Sequence, residues 1–197
     1  MKKILLVTLL LLPSLATAQD TARVRRMFEA GQYQQVIETA ADADAPETIY
    51  VAAQSQQRLG AVAEARATYD RLASRPDADP WHFIGLSGQQ LLDEDTDGAL
   101  ASAQQAAEQA GGLPDAHFQL GLVLAKRQDF RGAADALDRT AELSPGHAYA
   151  HYYGGLMHYR ANRPDRMAIH FEAFLKLAPE APERPEVLQI MKTVRGR

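Results

Sequence analysis

Four of the six histidines in this 197-residue chain fall close together, at His147, His151, His158 and His170. His147 and His151 stand one helical turn apart, a spacing at which two imidazoles can share a metal ion. No carboxylate partner or second ligand motif accompanies them in the sequence, and packing between paired helices accounts for His151 and His158, so no metal is assigned to the group. A second constellation is "DEDTDGALASAQ", residues 93–104. Asp93, Asp95, Asp97 and Gly98 match the opening of a calcium loop, where three carboxylates converge on a hard cation and glycine permits the bend. Its twelfth position is Gln104, which lacks the bidentate carboxylate; the alternative is an acidic turn in which Thr96 or Asp97 caps the next helix. Gly85-Leu86-Ser87-Gly88 falls one residue short of a nucleophile elbow. Without Cys there is neither a thiol nucleophile nor a thiolate ligand. No catalytic constellation can be assembled, so the chain reads as a non-enzyme with no cofactor.

The elements that carry these side chains show themselves through a fixed period. Pro145 and Pro179 lie 34 residues apart, as do Gly121 and Gly155, and a period in that range marks a repeat array. Starting units at Pro46, Pro80, Pro114 and Ala148 gives four gapless segments, 46–79, 80–113, 114–147 and 148–181. In the third, His117, Leu120, Gly121 and Leu124 follow the spacing of one helical face, Asp129 marks a turn, and Ala133, Leu137 and Thr140 carry a second helix towards Pro145. Proline at the first position suits a helix start, where no amide donor is needed. Small residues recur at the eighth position (Ala53, Ser87, Gly121) and the twentieth (Ala65, Ala99, Ala133), letting paired helices approach. The fourth unit departs from this, with Gly154 at the seventh position and Met167 at the twentieth; the expectation is a volume exchange in which the glycines make room for Met167.

This pattern of helix, turn and helix resembles the tetratricopeptide repeat over Pro46 to Pro179. The resemblance implies an all-α fold, a right-handed α-solenoid whose first-helix positions 2, 5, 9, 12 and 13 line a concave face. Those places hold Tyr50 and Arg58; Trp81, Ile84, Leu91 and Leu92; Phe118, Leu122 and Lys126; and Tyr149, Tyr152, Leu156, Tyr159 and Arg160. Aromatic rings interleaved with basic groups have the composition of a protein interaction hot spot. The candidate site is therefore a groove for a peptide or protein segment, with Arg58, Lys126 and Arg160, all at position 13, expected to meet its acidic groups.

The flanks read as caps. Residues 19–45 form a shortened, out-of-phase unit with Val24, Met27 and Phe28 on one apolar face, Gly31 at the turn and Val36, Ile37 and Ala40 on a second. Residues 182–197 form a last helix opened by Pro185, with Val187, Leu188, Met191 and Val194 on one side and Glu186, Gln189, Lys192 and Arg195 on the other. Such helices cover the apolar flanks of a repeat array. Met1–Ala18 has the form of a signal peptide: basic Lys2 and Lys3, an apolar Ile4–Leu12 and the cleavage motif Ala16-Thr17-Ala18. Pro13 interrupts the apolar run short of the ~20 residues a membrane span needs, and no Cys follows to carry a lipid. Cleavage after Ala18 is expected to release a periplasmic or secreted protein with no integral membrane segment, serving as an adaptor in the cell envelope. Without Lys2 and Lys3 the balance is 19 basic to 25 acidic residues, which argues against a nucleic-acid partner. Arg23, Arg25 and Arg26 are expected to form a solvated face.

Overall fold

The computed structural model describes residues 15–195, so residues 1–14 of the expected signal peptide lie outside the described residues and Leu15–Ala18 open the first helix. Within that range the chain is all helical. A short opening pair, α1 (Leu15–Glu29) and α2 (Tyr33–Thr39), precedes four longer pairs. These are α3 (Pro46–Arg58) with α4 (Val62–Ala73), α5 (Pro80–Leu92) with α6 (Thr96–Gln109), α7 (Pro114–Lys126) with α8 (Phe130–Leu143), and α9 (Ala148–Arg160) with α10 (Pro164–Leu177). An odd helix, α11 (Arg184–Arg195), follows.

The five turns within pairs are built alike. Each contains one left-handed residue: Gly31, Gly60, Glu94, Gln128 and Asn162, with φ of 74°, 75°, 62°, 64° and 58°. The following amide then reaches back to a carbonyl in the last turn of the helix, as in Gln32 N to Met27 O at 2.9 Å and Arg163 N to His158 O at 2.8 Å. This closure satisfies carbonyls that the helix end leaves unpaired. Because α2 has 7 residues where α4 has 12, the opening pair keeps the turn but loses the 34-residue phase. Two second helices are capped by aspartate: Asp95 accepts from Gly98 N and Asp129 from Gly132 N, both at 2.9 Å. The cap of α6 is thus Asp95, not Thr96 or Asp97.

The small residues act as expected for close helix approach. Ala53, Ala65, Ala99 and Ala133 are fully buried. A Cβ added at Gly121 would lie 2.7 Å from Leu137 Cγ, and one at Gly155 would lie 2.4 Å from Phe171 Cδ1. The exchange in the fourth pair involves a different partner from the expected one: a Cβ at Gly154 would meet His170 Nδ1 at 2.8 Å, so this glycine makes room for an imidazole and not for Met167. Ser87 occupies its small-residue position as a buried hydrogen-bonding link. Its Oγ donates to Ala99 O (3.0 Å) and accepts from Gln119 Nε2 (3.0 Å), while Gln119 Oε1 accepts from Tyr50 Oη (2.8 Å). A fully buried polar chain thereby joins three successive pairs with its groups satisfied, which keeps the cost of burial low.

In the last helix the apolar face is rotated from the expected one. Val187 and Met191 are buried and Ile190 packs on the core, but Leu188 is 51 % exposed. Glu186, expected to face away, accepts a hydrogen bond from Tyr152 Oη at 2.9 Å. None of the described helices is long and apolar enough to cross a membrane.

Candidate peptide-binding cleft

The first helices of the four long pairs stand side by side, and α1 crosses the wall they form near their N-terminal ends. Thr21 Oγ1 lies 3.0 Å from Thr48 Oγ1 on α3. Arg25 Nη2 donates to both carboxylate oxygens of Asp115 on α7, at 3.1 and 3.3 Å. Phe28 packs edge-on against Tyr149 of α9, ring centroids 4.9 Å apart. Of the three arginines expected on a solvated face, Arg25 is therefore committed to a buried partner.

Burial sets the electrostatics of this contact. For Asp115 desolvation pushes the carboxyl upward, but Arg25 and the nearby His147 imidazole outweigh it and bring the pKa down to about 2. Glu29, at the end of α1, goes the other way: desolvation outweighs Arg25 and the Ala148 amide and raises it to about 7. His147 caps α9, its Nδ1 accepting from Ala150 N at 3.1 Å, and burial lowers its pKa.

The segment between α10 and α11 then ties the far end of the wall to the near one. Glu183 accepts from Arg58 Nη1 and from Tyr149 Oη, each at 2.8 Å, and Arg58 Nη2 donates to Tyr153 Oη at 2.9 Å. The Arg58 guanidinium also lies 5.2 Å from the centre of the Tyr149 ring.

Much of the expected groove is filled in consequence. Tyr50, Trp81, Ile84, Phe118, Tyr149 and Tyr152 are all buried. Leu156 is half-buried, Tyr159 is exposed, and Arg160 stacks over the Phe130 ring at 5.5 Å. Arg58 and Lys126 line one cleft, while Arg160 sits apart over the Phe130 ring. What stays open is a cleft of about 420 Å³ lined by Phe28, Gln54, Gln57, Arg58, Leu91, Phe118, Leu122, Lys126 and Tyr153. Among the described residues Lys126 makes no ion pair, so its ammonium is available to a guest. Sequence reading missed Phe28, Gln54, Gln57 and Tyr153. Gln54 and Gln57 occupy groove positions 9 and 12; Tyr153 stands on α9 at position 6, outside the five groove positions, and Phe28 arrives through the crossing of α1, which no repeat position encodes.

The calcium constellation is dispersed. Asp95 is the helix cap, Asp93 pairs with Arg66, and Asp97 pairs with Arg127. Each carboxylate thus has its own partner, and the three do not converge.

Tetratricopeptide-repeat profiles match residues 47–78, 93–146 and 118–182. The chain belongs to the tetratricopeptide-repeat family. Members of the family are scaffolds and typically not enzymes, which fits the lack of a catalytic constellation in this tetratricopeptide-repeat protein. Its fold is similar to that of TTC0263, a thermophilic TPR protein of Thermus thermophilus, with a TM-score of 0.64 at 17% identity over 89% of this chain and 99% of that one. YrrB, described as a TPR protein with an unusual peptide-binding site, gives 0.51 at 17% identity over 90% and 91%. The first TPR of Spaghetti (RPAP3), solved bound to the HSP90 peptide SRMEEVD, gives 0.57 at 12% identity over 61% and 96%. No curated protein matches the sequence.

Proposed function

We propose that this tetratricopeptide-repeat protein is an exported, non-enzymatic adaptor of the cell envelope that holds a peptide or protein segment in the residual cleft. The observation that carries the reading is the cleft itself: an apolar floor of Leu91, Phe118 and Leu122 beside the unpaired Lys126 and the amides of Gln54 and Gln57. Apolar lining with a few polar groups is the usual make-up of a ligand pocket. The guest is a short segment with an apolar side chain for the floor and an acidic group for Lys126. The folds shared with a peptide-binding YrrB and a peptide-bound Spaghetti repeat support the same use.

Export is supported by the basic, apolar and small-residue sections of Met1–Ala18. Cleavage after Ala18 leaves intact every contact of α1 described above, since these begin at Thr21. N-terminal sequencing of the protein recovered from an envelope fraction is expected to begin at Gln19; recovery of an unprocessed chain from the cytoplasm would refute export.

The binding test compares native envelope capture by the wild type with capture by Lys126→Glu and Gln54→Trp. The first reverses the charge and the second fills the cleft. Both variants are expected to stay helical and lose a partner that the wild type retains. Equal capture by all three would place the interface elsewhere.

A further inference from the structure

The packed histidines of the last pair acquire a partner that the sequence does not place beside them. His158 on α9 and His170 on α10 both direct Nε2 at one atom, Asp138 Oδ1 on α8, at 2.9 and 2.7 Å. The ligand atoms of the three residues all lie within 4.8 Å of one another. His158 and His170 are buried and Asp138 is partly buried, yet each imidazole has an Nδ1 without any hydrogen-bond partner. Asp138 Oδ1 can only accept, so each ring here holds its proton on Nε2; a ring that moves that proton to the free Nδ1 presents the Nε2 lone pair to an ion.

The surroundings suit a ligand set. Asp138 Oδ2 is engaged by Arg166, which leaves Oδ1 for the histidines, and an outer partner of this sort orients a ligating carboxylate. A surface cleft of about 230 Å³, lined by Asp138, Ala141, Glu142, His151, Arg166 and His170, opens the cluster to solvent. It supplies an entry path and space for a water as fourth ligand.

We propose that Asp138 Oδ1, His158 Nε2 and His170 Nε2 form a zinc site at the junction of α8, α9 and α10, with its fourth position open to this cleft. Two imidazoles and one carboxylate form a borderline donor set that suits Zn²⁺ and not the all-oxygen preference of Ca²⁺ or Mg²⁺. Tetrahedral bonds of about 2.0–2.1 Å need donor atoms roughly 3.3 Å apart. The two Nε2–Oδ1 spacings of 2.7 and 2.9 Å have to open towards that value, and the two Nε2 atoms, which lie within 4.8 Å of each other, have to settle near it. Bound there, zinc would staple the third pair to the fourth.

The test uses the full chain, stripped with a chelator, and titrates it with ZnCl₂ by calorimetry and with CoCl₂ by visible absorption. One equivalent of Zn²⁺ is expected to bind saturably and raise Tm, and Co²⁺ is expected to give the intense bands of a tetrahedral site. Asp138→Asn and His170→Gln should each weaken Zn²⁺ binding at least tenfold, whereas His117→Ala, which removes a histidine remote from the cluster in sequence, should not. No saturable event, or equal affinity in helical Asp138→Asn and His170→Gln, would overturn the site. If those variants do not fold, the Co²⁺ spectrum of the wild type decides: octahedral bands, or none, overturn it.

Discussion

The two ends of the inner wall belong to one stripe of the same first helices, positions 2 and 5 at one end and 9, 12 and 13 at the other, yet one end is closed and the other open. Near the N-terminal ends of the first helices, Tyr50, Trp81 and Tyr149 are buried, with α1 laid across the wall and Glu183 drawn against Tyr149. Near the C-terminal ends, Leu91, Leu122 and Lys126 line a cleft. A side chain's place within the repeat sets which way it points, but what the terminal segments do with that face decides whether it meets solvent, a guest or the chain itself.

The largest expected break in this contrast comes from Arg25→Ala. It leaves Asp115 buried with only His147 Nε2, 3.8 Å away, as a potential counter-charge. Removing one partner of a buried pair costs about 3–5 kcal/mol, and the partial exposure of Arg25 sets the expectation near 3. Urea unfolding should show that loss, and hydrogen exchange should show α1 released from the wall. A loss below about 1 kcal/mol would mean that α1 contributes little to closing this end.

A smaller effect is expected from Gly154→Leu, which forces the His170 ring away from its helix neighbour. Overpacking of this kind costs about 1–3 kcal/mol. The thermal midpoint should fall while the cleft still binds its guest, and an unchanged midpoint would show that the fourth pair has slack.

The smallest effect is in pH, and its sign differs between the two carboxylates at the closed end. Asp115 is depressed to about 2, so its stabilisation is present above its ordinary value of 3.8 and lost as pH falls from there towards 2. Glu29 is raised to about 7 from 4.5, so its contribution is full below 4.5 and lost as pH rises through that window. Between pH 4.5 and 7 the wild type should lose stability that Glu29→Gln retains, the groups facing Glu29 being Arg25, Arg26 and the Ala148 amide. Parallel pH profiles for the two proteins would show that Glu29 is solvated.

The repeat architecture was legible because it is local: a 34-residue period, prolines at helix starts and small residues at two fixed places all act within one or two neighbouring helices. The crossing of α1 was not. Arg25 and Asp115 are 90 residues apart, and nothing near either one announces the other. The same is true of Asp138, which joins His158 and His170 only once α8, α9 and α10 are stacked. The face of α11 was misread at Leu188 because a short helix can turn Ile190 inward instead with little change in apolar content. Arg58, Leu91, Phe118, Leu122 and Lys126, named from their repeat positions, line the cleft, whereas Tyr50, Trp81, Tyr149 and Tyr152 are buried, because the repeat sets where a side chain points and the termini set what covers it.

The hydrogen bond between Arg58 and Glu183 spans 125 residues of sequence and fastens the first long pair to the segment after the last. Open stacks of repeats hold each unit only through its neighbours and can fray inward from either tip. A clasp between the two tips removes that freedom, because neither end can peel away without unfastening the other. Heat or denaturant should therefore dissolve this molecule in a single step, and cutting a unit from one end should loosen the opposite end as well.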